Sequence, residues 1–204
     1  MSDPSDQRAP TPVTSSLVLA SASPRRRELL ARIGLEPEVL PAEVDESVRD
    51  GEAPAPYVER VARAKAEVVA ARRPGAVVLA ADTAVVLDGT ALGKPVDRDD
   101  ALVMLTRLSG RTHEVLTSVV VRSEGRVLHT TEVARVTMAV LGAAELHWYV
   151  DSGEPFDKAG GYALQGSGAV LVDRVEGDPT TVIGLPLRAT VSLLRTAGLS
   201  WPGS

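Results

Sequence analysis

Leu17-Val18-Leu19-Ala20-Ser21-Ala22-Ser23-Pro24-Arg25-Arg26-Arg27-Glu28-Leu29-Leu30 is the stretch of this 204-residue chain that decides its fold. Leu17 to Ala20 is apolar and suits a buried strand. Ser21 and Ser23 are turn and N-cap residues, and Pro24 fits the first helical position, where a missing N–H costs nothing. Leu29, Leu30 and Ile33 give the helix an apolar face, and Gly34 ends it. Three arginines at a helix N-terminus are opposed by the helix dipole. Such a run is either a solvated face or a demand for an anion. Helix N–H groups, serine hydroxyls and guanidinium groups all seek negative charge. Placed together at the mouth of a strand, where open α/β sheets bind ligands, they describe a polyphosphate site.

Strands and helices go on alternating downstream, which predicts an α/β fold. Glu38 to Val44 reads as a second strand leading into the acidic pair Asp45-Glu46. Residues 56–73 read as an amphipathic helix with Val58, Val61, Ala62, Val68 and Val69 towards the core, stopped by Pro74-Gly75. Ala76 to Ala81 is a buried strand. Val85 to Leu87 is a further β segment before the tight-turn pair Asp88-Gly89. Asp97 caps a helix through Ala101, Met104, Leu105 and Leu108, and Gly110 ends it. Thr112 to Arg122 and Arg126 to Val140 form a long hairpin around Glu124-Gly125. A short helix over Ala143 to Val150, a Gly-rich polar segment over 152–168, a strand over Ala169 to Val175 and a helix over 186–197 complete the chain. The sequence holds no internal repeat and no linker that would divide it. Residues 16–204 are therefore expected to form one catalytic domain, behind a disordered tail over residues 1–15.

The composition narrows the function classes. Hydrophobic residues make up 44% and charged residues 24%, as in ordinary soluble globular proteins. Aromatics are only 3%, so Val, Leu and Ala must build the core. With no cysteine there is no disulfide, thiolate metal site or cysteine nucleophile. A formal charge of −5 argues against general nucleic-acid binding, so an anionic substrate needs a local basic pocket. No apolar run approaches the length of a membrane span, and a cytoplasmic location is expected.

Several residues carry candidate chemistry. Asp82 and Thr83 follow the apolar strand; a carboxylate there is a metal ligand, a general base or the anchor of an Asx turn. Glu46 lies in another post-strand loop and can share a divalent cation with Asp82, although Glu43 and Asp45 compete for that role. Gly93-Lys94-Pro95 sets a lysine in a rigid turn without the glycine spacing of a P-loop. Lys65 is a lone lysine on an arginine-bearing helix, and its plain reading is a solvated position. Three histidines without a close pair argue against a zinc site, and His113 reads as structural. In the segment 151–166, glycines permit close backbone approach. Gln165 there offers a donor and an acceptor suited to a nucleobase edge.

Six blocks occur in one order: Ser21-Ala22-Ser23-Pro24-Arg25-Arg26; Ala81-Asp82-Thr83; Gly93-Lys94-Pro95; Leu108-Ser109-Gly110 with His113; Asp157-Lys158-Ala159-Gly160 with Gln165-Gly166; and Gly184-Leu185-Pro186-Leu187. In this order they resemble the Maf-like nucleoside triphosphate pyrophosphatases, from Leu17 to Leu194. The resemblance implies an ITPase-like α/β fold: an elongated mixed sheet flanked by helices, with a cleft between two lobes. It implies hydrolysis of a nucleoside triphosphate between the α and β phosphates, a divalent cation (Mg²⁺ or Mn²⁺), and a homodimer. By the same resemblance Asp82 is the proton acceptor, and Lys94 acts with it in catalysis. Ser21, Arg25, Lys65 and Lys94 face the polyphosphate, and Glu46 with Asp82 holds metal. Arg26, Thr83 and Gln165 occupy the three positions that separate substrate branches, and this set resembles the dTTP/UTP-cleaving branch. Two alternatives stand beside it: a pyrophosphatase for 7-methyl-GTP or another base, and a nucleotide-binding regulator of cell division or septum formation with little catalysis. Residues 178–182 read Asp-Pro-Thr-Thr-Val, where many members have an aromatic and an asparagine before the valine. That segment is expected to shape the pocket, and Arg27 is expected at the surface.

Overall fold

The computed structural model describes residues 16–200; the tail expected over 1–15 lies outside the described residues. The first strand β1 (Leu17–Leu19) turns into helix α1 (Pro24–Arg32), as its sequence dictates. Ser23 sits at the N-cap with extended backbone, yet its hydroxyl makes no cap bond. Instead the Ser21 hydroxyl accepts the Ser23 N–H at 3.2 Å. After β2 (Glu38–Val39) come α2 (Pro54–Arg72), β3 (Val77–Leu87), β4 (Thr90–Leu92), α3 (Arg98–Leu108), β5 (Thr112–Ser123) and β6 (Arg126–Met138). Helix α4 (Ala143–Asp151), three short 3₁₀ turns over residues 154–171, β7 (Val172–Glu176), α5 (Pro179–Ile183) and α6 (Leu187–Thr196) follow.

The strands form one seven-stranded mixed sheet in the order β2-β1-β3-β5-β6-β7, with β4 on the edge of β3. The pairs β1–β2 and β1–β3 are parallel, and the rest are antiparallel. Two strand expectations are shortened. The second strand ends at Val39, just before Pro41, which has no N–H to give to a ladder. The seventh starts at Val172, because residues 167–171 coil into a 3₁₀ turn.

Strand β3 corrects the sequence reading most. Where two β segments were expected, one strand of 11 residues runs unbroken. Its partner β5 matches it from Val78 to Val86, so Asp82 and Thr83 sit in mid-strand opposite Ser118 and Thr117. They are not loop residues, and Asp82 forms no Asx turn. The other edge of β3 is different. β1 pairs only with Val77 to Leu79, and β4 only with Val85 to Leu87. Among the described residues no strand covers 80–84 on that side, and this gap is the floor of a cleft.

Alternation along β3 sets the packing on each face. Leu79 and Ala81 pack with Leu29 and Leu30 of α1 and Leu194 of α6, whereas Val85 and Leu87 pack with Leu105 and Leu108 of α3 and Tyr149 of α4. Thus one strand joins two cores, with Thr83 between them. On the opposite face Val78 and Ala80 meet Ala62, Ala66 and Val69 of α2, and Ala84 and Val86 meet Val58. Asp82 lies between these two groups.

Candidate active site

A cleft of 630 Å³ opens over the gap in β3. Its walls carry Ser21, Arg25, Arg26, Glu46, Lys65, Asp82, Thr83, Lys94 and Gln165. All nine residues singled out in the sequence therefore meet in one place, although they come from seven different elements and loops. Arg27 is exposed and outside the cleft, as expected.

Because Asp82 faces α2, its partner is the one lysine of that helix. Lys65 is buried, not solvated: it lies on the same helical face as Val61, Ala62 and Val69. Its ammonium donates to Asp82 Oδ1 at 2.8 Å and is 2.8 Å from Glu46 Oε1. Of the three acidic residues, only Glu46 is placed beside Asp82. Asp45 folds back to accept from the Ser47 N–H and hydroxyl at 2.9 and 2.6 Å, Glu43 does not line the cleft, and Glu46 does. Arg60 holds the loop of Glu46: it grips Glu52 at 2.7 Å with two nitrogens and donates to the Ser47 carbonyl at 2.8 Å. The Tyr57 hydroxyl donates to the Glu46 carbonyl at 3.0 Å. Burial pushes the Asp82 carboxyl above its ordinary range, the Lys65 ammonium and Arg26 pull it back, and the net shift is upward.

Thr83 faces the other way, towards α1 and α6. Arg26 reaches it from α1, giving Nη2 to Thr83 Oγ1 at 3.2 Å, Nη1 to Ser21 Oγ at 3.0 Å and Nε to the Gly184 carbonyl at 2.9 Å. Every one of these acceptors is neutral. Burial lowers the Arg26 pKa, with nearby Asp82 opposing the shift. The network continues from Thr83 to the Thr117 hydroxyl at 2.9 Å, and Thr117 donates to the Thr181 carbonyl at 2.7 Å. Gly184 has φ +114°, and a Cβ there would stand 3.2 Å from Thr83 Oγ1. Helix α5, which the sequence reading missed, thus brings Val182, Ile183 and Gly184 into the cleft wall. Five residues are too few to show helical periodicity; the Asp178-Pro179 cap pair was the available signal.

The rim is charged. Lys94 is exposed on the turn after β4, pinned where the Gly93 carbonyl accepts the Gly160 N–H at 3.0 Å. Arg25 crosses the cleft to Asp157 at 3.2 Å, and Asp157 is also paired with Lys158. Counting the lining residues, five cationic side chains face three carboxylates, in a chain whose net charge is −5. Gln165 stands apart: both its side-chain Oε1 and Nε2 are buried without a hydrogen-bond partner. His113 is outside the cleft, buried, with Nε2 2.7 Å from the Tyr162 hydroxyl. Its role is structural by position.

A family model described as Maf-like protein matches residues 16–197. The chain belongs to the Maf-like protein family. Among its curated relatives, a protein from Anaeromyxobacter dehalogenans named dTTP/UTP pyrophosphatase is 56% identical over 190 residues, covering 91% of this chain and 96% of that protein. One of the same name from Myxococcus xanthus is 56% identical over 187 residues, covering 91% and 94%. Among solved structures, the Staphylococcus aureus Ham1 protein matches with a TM-score of 0.50 at 14% identity, over 89% of this chain and 99% of that one. The Maf-like chain thus shares an ITPase-like mixed-sheet fold with proteins of little sequence likeness.

Proposed function

We propose that this Maf-like protein hydrolyses dTTP and UTP between the α and β phosphates, releasing the nucleoside monophosphate and pyrophosphate. The observation that carries this reading is the meeting, in one cleft, of a carboxylate pair, a set of cations and an unpartnered amide. Relatives at 56% identity bear the name of that activity.

Each wall has a part. Arg25, Lys94 and the turn after Ser21 bind the β and γ phosphates, whose charge must be held in line during phosphoryl transfer. Asp82, made more basic by burial, takes the proton of the attacking water. Lys65 keeps Asp82 and Glu46 together until substrate arrives. Arg26 and Thr83 are already hydrogen-bonded to each other and to neighbours, so they shape the base end of the pocket. Gln165, whose buried amide has no hydrogen-bond partner, turns into the cleft to pair with the O4 and N3–H edge of uracil or thymine.

The donors also fit a divalent cation. Glu46 and Asp82 are hard oxygen ligands already converging on one positive charge, the Lys65 ammonium. Among the described residues no group of three or more Asp, Glu, His or Cys side chains is placed to hold a metal ion. Phosphate oxygens and water must then complete the shell, as is usual for Mg²⁺. Such an ion, when bound, neutralises phosphate charge and polarises the scissile centre. The implied homodimer and cytoplasmic location belong to the same proposal; sedimentation at twice the chain mass checks the former. No helix among the described residues is long and apolar enough to cross a membrane.

The test is pyrophosphate release from UTP, dTTP, 7-methyl-GTP and purine triphosphates with Mg²⁺ or Mn²⁺, using wild type, Asp82→Asn and Gln165→Ala. Release from UTP and dTTP, abolished by Asp82→Asn and weakened more for pyrimidines than purines by Gln165→Ala, is expected. Near-normal turnover in Asp82→Asn removes that residue from the mechanism. Release confined to other bases overturns the base assignment.

A further inference from the structure

Gln165 sits on a segment that is held at both ends by two side chains outside the cleft. The Tyr149 hydroxyl accepts the Ala163 N–H at 3.2 Å and donates to Glu154 Oε1 at 3.0 Å. Glu154 Oε1 also accepts the Gly168 N–H at 3.0 Å, and Oε2 accepts the Ser167 N–H at 2.8 Å. One carboxylate and one phenol thus tie residue 163 to residues 167 and 168. The glycines of the segment make room for this. A Cβ on Gly166 would lie 2.3 Å from Glu154 Oε2, and one on Gly168 would lie 2.7 Å from the Tyr149 oxygen.

Between the two tied ends, the Gln165 amide is buried with both polar atoms unpaired. Left to itself, an amide in that state turns towards water or a backbone group, because an unmet buried polar group is costly. We propose that Glu154, with Tyr149, is a positioning residue for base recognition: it locks the backbone around Gln165 so that the nucleobase is the best partner the amide can find. This rests on the pyrimidine-nucleotide reading given above. Neither Glu154 nor Tyr149 lines the cleft; the Glu154 carbonyl also accepts from the cleft residue Lys158 at 2.7 Å, a backbone contact that side-chain substitutions leave in place. The device is preorganisation: the ordering that base binding would otherwise require is already present.

A carboxylate suits this place because it accepts and never donates when ionised. Burial disfavours its charge, but the Gly168 and Ser167 N–H groups and the Tyr149 hydroxyl outweigh that and hold Glu154 below the usual range. Glu154→Gln keeps the size of the side chain and turns an NH₂ towards one of these donors, so it opens the clamp without leaving a cavity. Tyr149→Phe keeps the ring and frees only the residue-163 end.

The experiment measures kcat and KM for dTTP and dATP in wild type, Glu154→Gln and Tyr149→Phe, with a thermal melt of each. Wild type is expected to prefer dTTP. Both variants are expected to melt cooperatively, keep most of kcat, raise KM for dTTP, and lose about tenfold of the preference over dATP. A folded variant pair that keeps the wild-type preference overturns the proposal. So does an equal loss on both nucleotides, which is what a purely structural role produces. If Glu154→Gln does not fold, Tyr149→Phe decides; failure of both to fold assigns the pair to stability and overturns the role in recognition. If wild type itself shows no preference for dTTP, the functional reading fails and takes this inference with it. That failure shows in the wild-type rates, before any variant is compared.

Discussion

Arg26 places a full charge in a wall built of neutral oxygens. It is 9% exposed and spends its guanidinium on Ser21, Thr83 and the Gly184 carbonyl. A planar fork can meet three acceptors in three directions, and an ammonium cannot meet them in the same geometry. Arg26→Lys is therefore expected to lose about 1–3 kcal/mol of stability, read as a lower denaturation midpoint at unchanged slope. Retention of the wild-type midpoint would show that the fork is dispensable. That these residues gather at one cleft was legible in the sequence, because the Ser-Pro helix start aims the arginines at the mouth of a strand. Their partners were not. That Lys65 leaves solvent for Asp82, or that Arg26 meets a carbonyl 158 positions later, depends on contacts made only when distant strands pair.

Helix α3 is the element whose ends the sequence places most closely. Asp97 at its N-cap accepts the Asp100 N–H at 2.8 Å, and Asp99 and Asp100 add favourable charge to the first turn. Asp97→Ala is expected to cost about 1 kcal/mol and to lower Tm by roughly 2–4 °C. A calorimetric scan checks this, and an unchanged Tm would show that the cap is replaced by water. The hairpin β5–β6 is equally legible, since Glu124 and Gly125 both take the positive φ that such a turn needs. Two elements were not. The polar pair Asp82-Thr83 looks like a strand end, but β5 carries the ladder through it and leaves only the opposite edge open. The 3₁₀ turns over 154–171 follow no hydrophobic period; they are shaped by Glu154 and Tyr149 accepting and donating across the loop.

At the scale of the whole molecule, one buried imidazole links stability to pH. His113 is 2% exposed, and burial lowers its pKa to about 4 from 6.5. Between those values the unfolded chain binds a proton that the native protein refuses, so the native state loses stability as pH falls from 6.5 to about 4. The loss approaches about 3 kcal/mol, and it is expected to be absent in His113→Gln. Denaturation curves across that range check it; parallel pH profiles for both proteins would contradict it. The same scale explains why the site is a cleft. The strand β3 runs through two cores, and its open edge lies between them, so residues from α1, α2, the β4 turn and the Gln165 segment converge over residues 80–84. In the proposed function this cleft holds a whole nucleotide, with phosphates towards the arginine-bearing turn and the base towards Gln165. The most direct test of that account is the identity of the products formed from dTTP. Phosphorus NMR of the reaction is expected to show dTMP and pyrophosphate; dTDP and inorganic phosphate would place the scissile bond elsewhere and contradict it.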